Sequence, residues 1–179
     1  MITDESLPYN SSIVDYDEAW PLRFEELASK LRAILGNLVL RIEHVGSTAV
    51  LGLAAKPVID LDIAVNSPGE VQSAILKLAQ FGYAHEGNLG VRGREAFRSP
   101  AGEDPHHLYV LIEGSGELKR HLTFRDALRA DPALRDKYSR LKRSLAAQCA
   151  CDRAAYTAGK TEFVLAVLRG SAPQNCGPR

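Results

Sequence analysis

The sequence predicts a single α/β domain that ends in a helical part. Three observations lead there: an amphipathic repeat near the N-terminus, two apolar runs bracketing a glycine-containing turn, and a change to helical texture after Gly114. At 179 residues the chain suits one domain, with an α/β core over 17–114, a helical part over 115–170 and a tail over 171–179.

From Asp17 to Leu35, apolar residues recur at Phe24, Leu27, Leu31 and Ile34 or Leu35, the spacing of a helix that buries one face, and Gly36-Asn37 supplies the stop. Leu38 to Glu43 reads as a strand that breaks at Gly46. Pro57 to Val65 is nearly continuous aliphatic sequence interrupted by Asp60 and Asp62. Ser67-Pro68-Gly69-Glu70 is a helix start: Ser67 caps, Pro68 suits the first turn and Glu70 completes a capping box for a helix ending near Gln80. Segments 91–98 and 107–112 have strand composition and, separated by the turn-rich Ser99 to Gly102, predict an antiparallel pair. Beyond Gly114, Leu134, Tyr138, Leu141 and Leu145 form one helical stripe, with Lys137, Arg140 and Arg143 elsewhere. Asp131-Pro132 separates that helix from its predecessor, and a last helix runs from Thr161 to Arg169.

Charge is balanced at 22 basic and 22 acidic residues, so no global field favours nucleic acid or a membrane. The balance hides an asymmetry: residues 1–113 carry 9 Lys and Arg against 16 Asp and Glu, whereas residues 114–179 carry 13 against 6. A basic helix over 134–145 invites a nucleic-acid reading, but no aromatic beyond Tyr138 is interleaved in it. Cys149, Cys151 and Cys176 are odd in number and lack metal-ligand spacing, which argues against a disulfide framework; Cys149 and Cys151 are expected to pack helices. With no basic, apolar leader and no run of about 20 apolar residues, the expectation is a cytoplasmic protein.

Asp60 and Asp62 are two apart on a strand, so both project from one face. Two carboxylates among aliphatics are costly unless compensated, and two readings stand: a hard cation such as Mg²⁺ between them, or a solvated strand end with Arg or Lys partners. Upstream, Gly46-Ser47-Thr48 joins two strands. Small residues there let backbone N–H groups approach an anion and a hydroxyl add a bond, so phosphate is the natural guest. Lys56 leads into the aspartate strand within reach of such a phosphate, with a solvated surface charge as the alternative. Arg92, Arg94 and Arg98 alternate along one strand face, lining a cleft for phosphate or carboxylate or simply facing water. His106 and His107 are adjacent and point to opposite faces, so at most one joins the site.

The stretch HVGSTAVLGLAAKPVIDLDIAV, residues 44–65, resembles the signature of GrpB-like proteins of the UPF0157 type, which are grouped with the DNA polymerase β type nucleotidyltransferase superfamily. The resemblance continues through Gly82-Tyr83, HHLYV at His106 to Val110, LTFRDALRADP at Leu122 to Pro132, YSRLK at Tyr138 to Lys142, and Asp152, Tyr156 and Lys160, covering residues 17–170. It implies a nucleotidyltransferase-like mixed sheet flanked by helices, with Gly46, Ser47 and Thr48 gripping a nucleotide phosphate and Asp60 and Asp62 holding Mg²⁺ or Mn²⁺ as catalytic residues. His107 matches the family's histidine and is the third catalytic candidate, with a core or hydrogen-bonding histidine as the alternative; Arg125, Tyr156 and Lys160 lie in the basic part that the resemblance implies closes over the nucleotide, with an ion pair to a carboxylate as the alternative for Arg125.

In active members of the superfamily a third carboxylate on a neighbouring strand completes the metal site. Here that strand offers His107 and Tyr109 before Glu113, and Glu95 stands on the strand preceding it. Leu51 replaces the family's usual proline. The implied function is binding of a nucleoside triphosphate with a divalent metal and transfer of its nucleotidyl group to an acceptor that the sequence does not specify. The alternative is a noncatalytic nucleotide-binding or regulatory domain. The resemblance to the segment fused to some dephospho-coenzyme A kinases links that alternative to coenzyme A metabolism.

Overall fold

In the computed structural model, which describes residues 13–148 and 152–170, the first helix α1 spans Trp20–Leu35. It starts later than its apolar repeat suggests, because the Asp17 carboxylate accepts the Ala19 N–H at 2.8 Å and forms a turn first. Gly36, at φ 61°, ends it, and a 3₁₀ turn over Gly36–Leu38 delays strand β1 to Arg41–Val45. Strand β2 is Ile59–Val65, followed by α2 at Pro68–Gln80. The expected cap is present: Ser67 Oγ accepts the Glu70 N–H at 3.2 Å, although Glu70 reaches back to the Asn66 N–H rather than to Ser67.

Strand β3, Ala84–Gly87, has no counterpart in the expected elements; it forms the sheet edge beside β4, Arg94–Arg98. Strand β5, His106–Ile112, runs antiparallel to β4 as expected. Three helices follow: α3 at Gly116–Ala130, α4 at Pro132–Gln148 and α5 at Arg153–Leu168. Helix α5 begins a full two turns before Thr161, capped by Asp152, whose carboxylate accepts the Ala155 N–H at 2.9 Å. Its first half shows little apolar periodicity, and Gly159 there packs directly against Leu145 of α4. Cys149, Cys151, Cys176 and the tail 171–179 lie outside the described residues.

The sheet is mixed, in the order β1-β2-β5-β4-β3, with β2 and β5 parallel at its centre and the other pairs antiparallel. Ile59, Leu61, Ile63 and Val65 face α1 and α2 with Leu108 and Val110 in the main core. On the opposite face α3 lays Leu118 and Leu122 over Ala64 and Leu111. A second core joins Val50 and Leu53, just beyond the glycine turn, to Leu128, Tyr138, Phe163 and Val167 of the last three helices. That core docks the helical part beside the turn. Among the described residues no helix is long and apolar enough to cross a membrane.

Candidate functional site

Register arranges the α3-bearing face of the sheet in rows. Val45, Asp60, His107 and Arg98 make one row; Glu43, Asp62, Tyr109 and Ala96 the next; Arg41, Ala64, Leu111 and Arg94 the third. Helix α3 covers the third row with Leu118 and Leu122 and reaches the second with His121 and Arg125. The Asp60 row is left open beside the glycine turn.

Gly46 follows β1 with φ 69° and ψ −166°, a region that side chains other than glycine's make costly. A Cβ there would fall inside the Asp60 carboxylate, so glycine is what lets Asp60 lie against the turn. Ser47 Oγ accepts a hydrogen bond of 2.9 Å from Lys142 Nζ, which also donates to the Ala54 carbonyl. Lys142 is only 2% exposed. Burial, reinforced by the nearby Lys160 charge, pulls its ammonium down to about 7, with Asp60 acting in the opposite sense. Lys56 and Lys160 flank the Tyr156 ring, 4.9 and 4.4 Å from its centroid. Gly46, Ser47, Lys56, Tyr156 and Lys160 thus gather at one end of the Asp60 row, around a lysine that sequence reading quoted but did not assign.

Two expected nucleotide ligands have other partners. Thr48 is 1% exposed; its hydroxyl meets His44 Nε2 at 3.0 Å and the Val58 carbonyl at 3.4 Å, bracing the turn from inside. Burial lowers the His44 imidazole to about 4, so it braces Thr48 as a neutral ring. Arg125 donates to Glu43 Oε2 at 2.7 Å, to the His44 carbonyl at 3.0 Å and to Asp126 Oδ1 at 2.7 Å. It pins α3 to β1.

The paired aspartates do share a face, and each carries a histidine. His107 Nδ1–H donates to Asp60 Oδ1 at 2.7 Å. His106 points the other way and donates through Nδ1 to the Asp104 carbonyl. Asp62 is 0% exposed. Its Oδ2 accepts from His121 Nδ1–H at 2.7 Å, and His121 Nε2–H donates to Glu117 Oε1 at 3.0 Å. Burial alone would depress His121, but two carboxylates on its two nitrogens hold the imidazolium up to about 9. Glu117 is buried as well, and the His121 and Arg120 bonds overcome that burial to pull it down to about 2. Glu117 and His121 escaped sequence reading because 59 residues separate His121 from Asp62; their i, i+4 spacing on one helix was the available signal.

Neither candidate third carboxylate joins the aspartates. Glu113 follows the far end of β5 and pairs with Arg41 at 2.9 Å, and Glu95, on the opposite face, pairs with His85 at 2.7 Å. The β5 positions across from Asp60 and Asp62 are His107 and Tyr109. Among the described residues no group of three or more His, Cys, Asp or Glu could hold a metal ion. Asp62 Oδ1, however, is buried without a hydrogen-bond partner. With Asp60 beside it, this donor set fits one hard cation completed by phosphate and water oxygens, and does not fit two.

Residues 10–169 match the GrpB protein family profile. The chain belongs to the GrpB family. It is 36% identical over 152 residues to the UPF0157 protein YqkA of Bacillus subtilis, spanning 85% of this chain but 44% of YqkA. It is also similar, at 28% identity over 173 residues, to a dephospho-CoA kinase of Mycolicibacterium paratuberculosis, across 83% of this chain and 42% of that one. The crystal structure of the conserved protein GrpB from Enterococcus faecalis superimposes with a TM-score of 0.80 at 33% identity, covering 89% of this chain and 96% of the other. The Cid1 poly(U) polymerase in its MgGTP-bound structure aligns with a TM-score of 0.55 at 15% identity, over 75% and 44%. That likeness makes the GrpB fold here a nucleotidyltransferase-like one.

Proposed function

We propose that this chain binds a nucleoside triphosphate across the Gly46-Ser47 turn, with one divalent cation held by Asp60 and Asp62. The observation that carries the reading is the Lys142–Ser47 contact beside Asp60: a buried lysine, bonded at 2.9 Å to the hydroxyl of a glycine turn, adjoins a carboxylate pair with an unsatisfied oxygen. Basic groups on one side and carboxylates on the other match the two halves of a metal–triphosphate. Lys56 and Lys160 supply charge to the phosphates, Lys142 bonds the Ser47 oxygen and leaves its O–H to donate, and the turn backbone supplies directed bonds. A bound Mg²⁺ or Mn²⁺ would neutralise and orient the triphosphate.

Calorimetric titration of the four ribonucleoside triphosphates, with and without Mg²⁺, tests this. Asp60→Asn is the control, because Asp62 is buried against His121 and its loss would confound binding with folding. Magnesium-dependent binding that disappears in the folded Asp60→Asn protein is expected. No binding by folded wild type would sink the reading.

A second reading, nucleotidyl transfer, is favoured by the Asp60–His107 pair. With Nδ1–H donated to Asp60, Nε2 is the basic nitrogen of the ring. His107 would take the proton of an acceptor hydroxyl as its oxygen bonds to the α-phosphorus and the bond to pyrophosphate breaks. His107→Asn should then retain triphosphate affinity and lose pyrophosphate release. A wild type that binds triphosphate and releases no pyrophosphate with any acceptor offered leaves a noncatalytic nucleotide-binding domain, linked through the kinase likeness to coenzyme A metabolism.

A further inference from the structure

On the β4 side of His107 the sheet face turns basic. Arg98 stands across from His107 in the register, and Arg94 stands two rows deeper, with the small Ala96 between them. Arg94 lays its guanidinium 4.5 Å from the centre of the Tyr109 ring, and its Nε is buried with no hydrogen-bond partner. Glu86 approaches Arg98 to 3.9 Å, beyond hydrogen-bonding distance. In the first two rows, Asp60 and Asp62 each give one oxygen to a histidine, His107 and His121. Glu95 lies on the other face with His85.

We infer that Arg94 and Arg98 form an anion subsite for a second substrate, and that this substrate carries a phosphate monoester. The inference rests on the nucleotide reading for its placement. Phosphates of the triphosphate belong to the Ser47 and Lys142 end of the Asp60 row; Arg98 stands at the opposite end of that row, with His107 between, and Arg94 reaches from two rows deeper onto Tyr109. Stacking on Tyr109 occupies the guanidinium face of Arg94 and leaves its in-plane N–H donors, the geometry that binds an oxyanion through two parallel bonds. A buried Nε–H without an acceptor is itself costly, and a ligand oxygen would relieve it. Two guanidinium groups on one face suit a dianion better than a single carboxylate. A phosphate held there would place the rest of the molecule, and any hydroxyl it carries, over His107.

The test follows the Arg94 Nε–H resonance by ¹⁵N NMR while inorganic phosphate is titrated into the full chain. Wild type, Lys142→Met and Arg98→Gln proteins are compared, with Ser47→Ala replacing Lys142→Met if that helix fails to fold. Saturable movement is expected in wild type and in Lys142→Met, with affinity about tenfold weaker in Arg98→Gln. Absence of movement, equal movement with acetate at matched ionic strength, or loss of the response in the Ser47-side variants would each overturn the subsite. Calorimetry of a non-hydrolysable ATP analogue on the same samples keeps the two readings apart. Phosphate at Arg94 with no analogue binding sinks the nucleotide site and leaves the anion subsite standing.

Discussion

At Gly46 one missing side chain decides how close Asp60 comes to the turn. Its backbone conformation costs a substituted residue about 1–3 kcal/mol, and the added methyl would also displace the Asp60 carboxylate. Gly46→Ala should therefore lower the melting temperature by roughly 3–10 °C and lose magnesium-dependent nucleotide binding even where it stays folded. Unchanged melting with an intact Asp60–His107 contact would contradict it. That Asp60 and Asp62 share a face was legible in sequence because strand side chains alternate, while the choice of His107 over His106 rests on the family resemblance. Lys142 was legible in principle: it lies four residues after Tyr138, so the period that buries Tyr138 buries Lys142 too. Treating charge as exposure hid it, since nothing local reveals that Ser47 and the Ala54 carbonyl wait across the interface.

At the scale of elements, α3 is the piece whose role the sequence concealed. Its sheet-facing side mixes Leu118 and Leu122 with His121 and Arg125, so its apolar pattern is weak, and the bonds that tie it to the sheet, His121 to Asp62 and Arg125 to Glu43, are long-range. Arg125 illustrates the cost: the family resemblance offers it as a nucleotide ligand with an ion pair as the alternative, and its side chain, 11% exposed, bonds Glu43 and clamps α3 to β1. Arg125→Ala leaves Glu43 without that partner and should destabilise the fold by about 2–3 kcal/mol, read by urea unfolding. Arg125→Lys should recover only part of it, because an ammonium cannot reproduce the fork. At a temperature where the variant is folded, triphosphate affinity should match wild type within about twofold. A large loss of affinity with unchanged stability would restore Arg125 to the binding site. Strand β3 and the first half of α5 were missed for a related reason. A four-residue edge strand carries too little pattern, and the first half of α5 buries Tyr156 and sets Gly159 against Leu145, so it shows no repeat of large apolar residues.

Across the whole molecule the acidic first part and the basic second part meet through buried titratable groups whose pH responses oppose one another. His121, held up to about 9 by its two carboxylates, binds a proton in the folded state that the unfolded chain releases near 6.5. Its stabilisation is therefore complete below pH 6.5 and is lost as pH rises through 9. Lys142, pulled down to about 7 by burial, releases in the folded state a proton that the unfolded chain keeps to about 10.4, so its contribution improves with rising pH across that interval. Each slope is at most about 1.4 kcal/mol per pH unit, and between pH 7 and 9 they cancel. His44, lowered to about 4, and Glu117, lowered to about 2, act below this window. Wild-type stability, measured by urea unfolding at pH 7, 8 and 9, should be nearly level. Lys142→Met should lose stability as pH rises, since His121 then acts unopposed, and His121→Gln should gain it. Variants as level as wild type would mean that neither group changes protonation on folding, and that the two halves are joined by packing between the turn and the last three helices rather than by these charges.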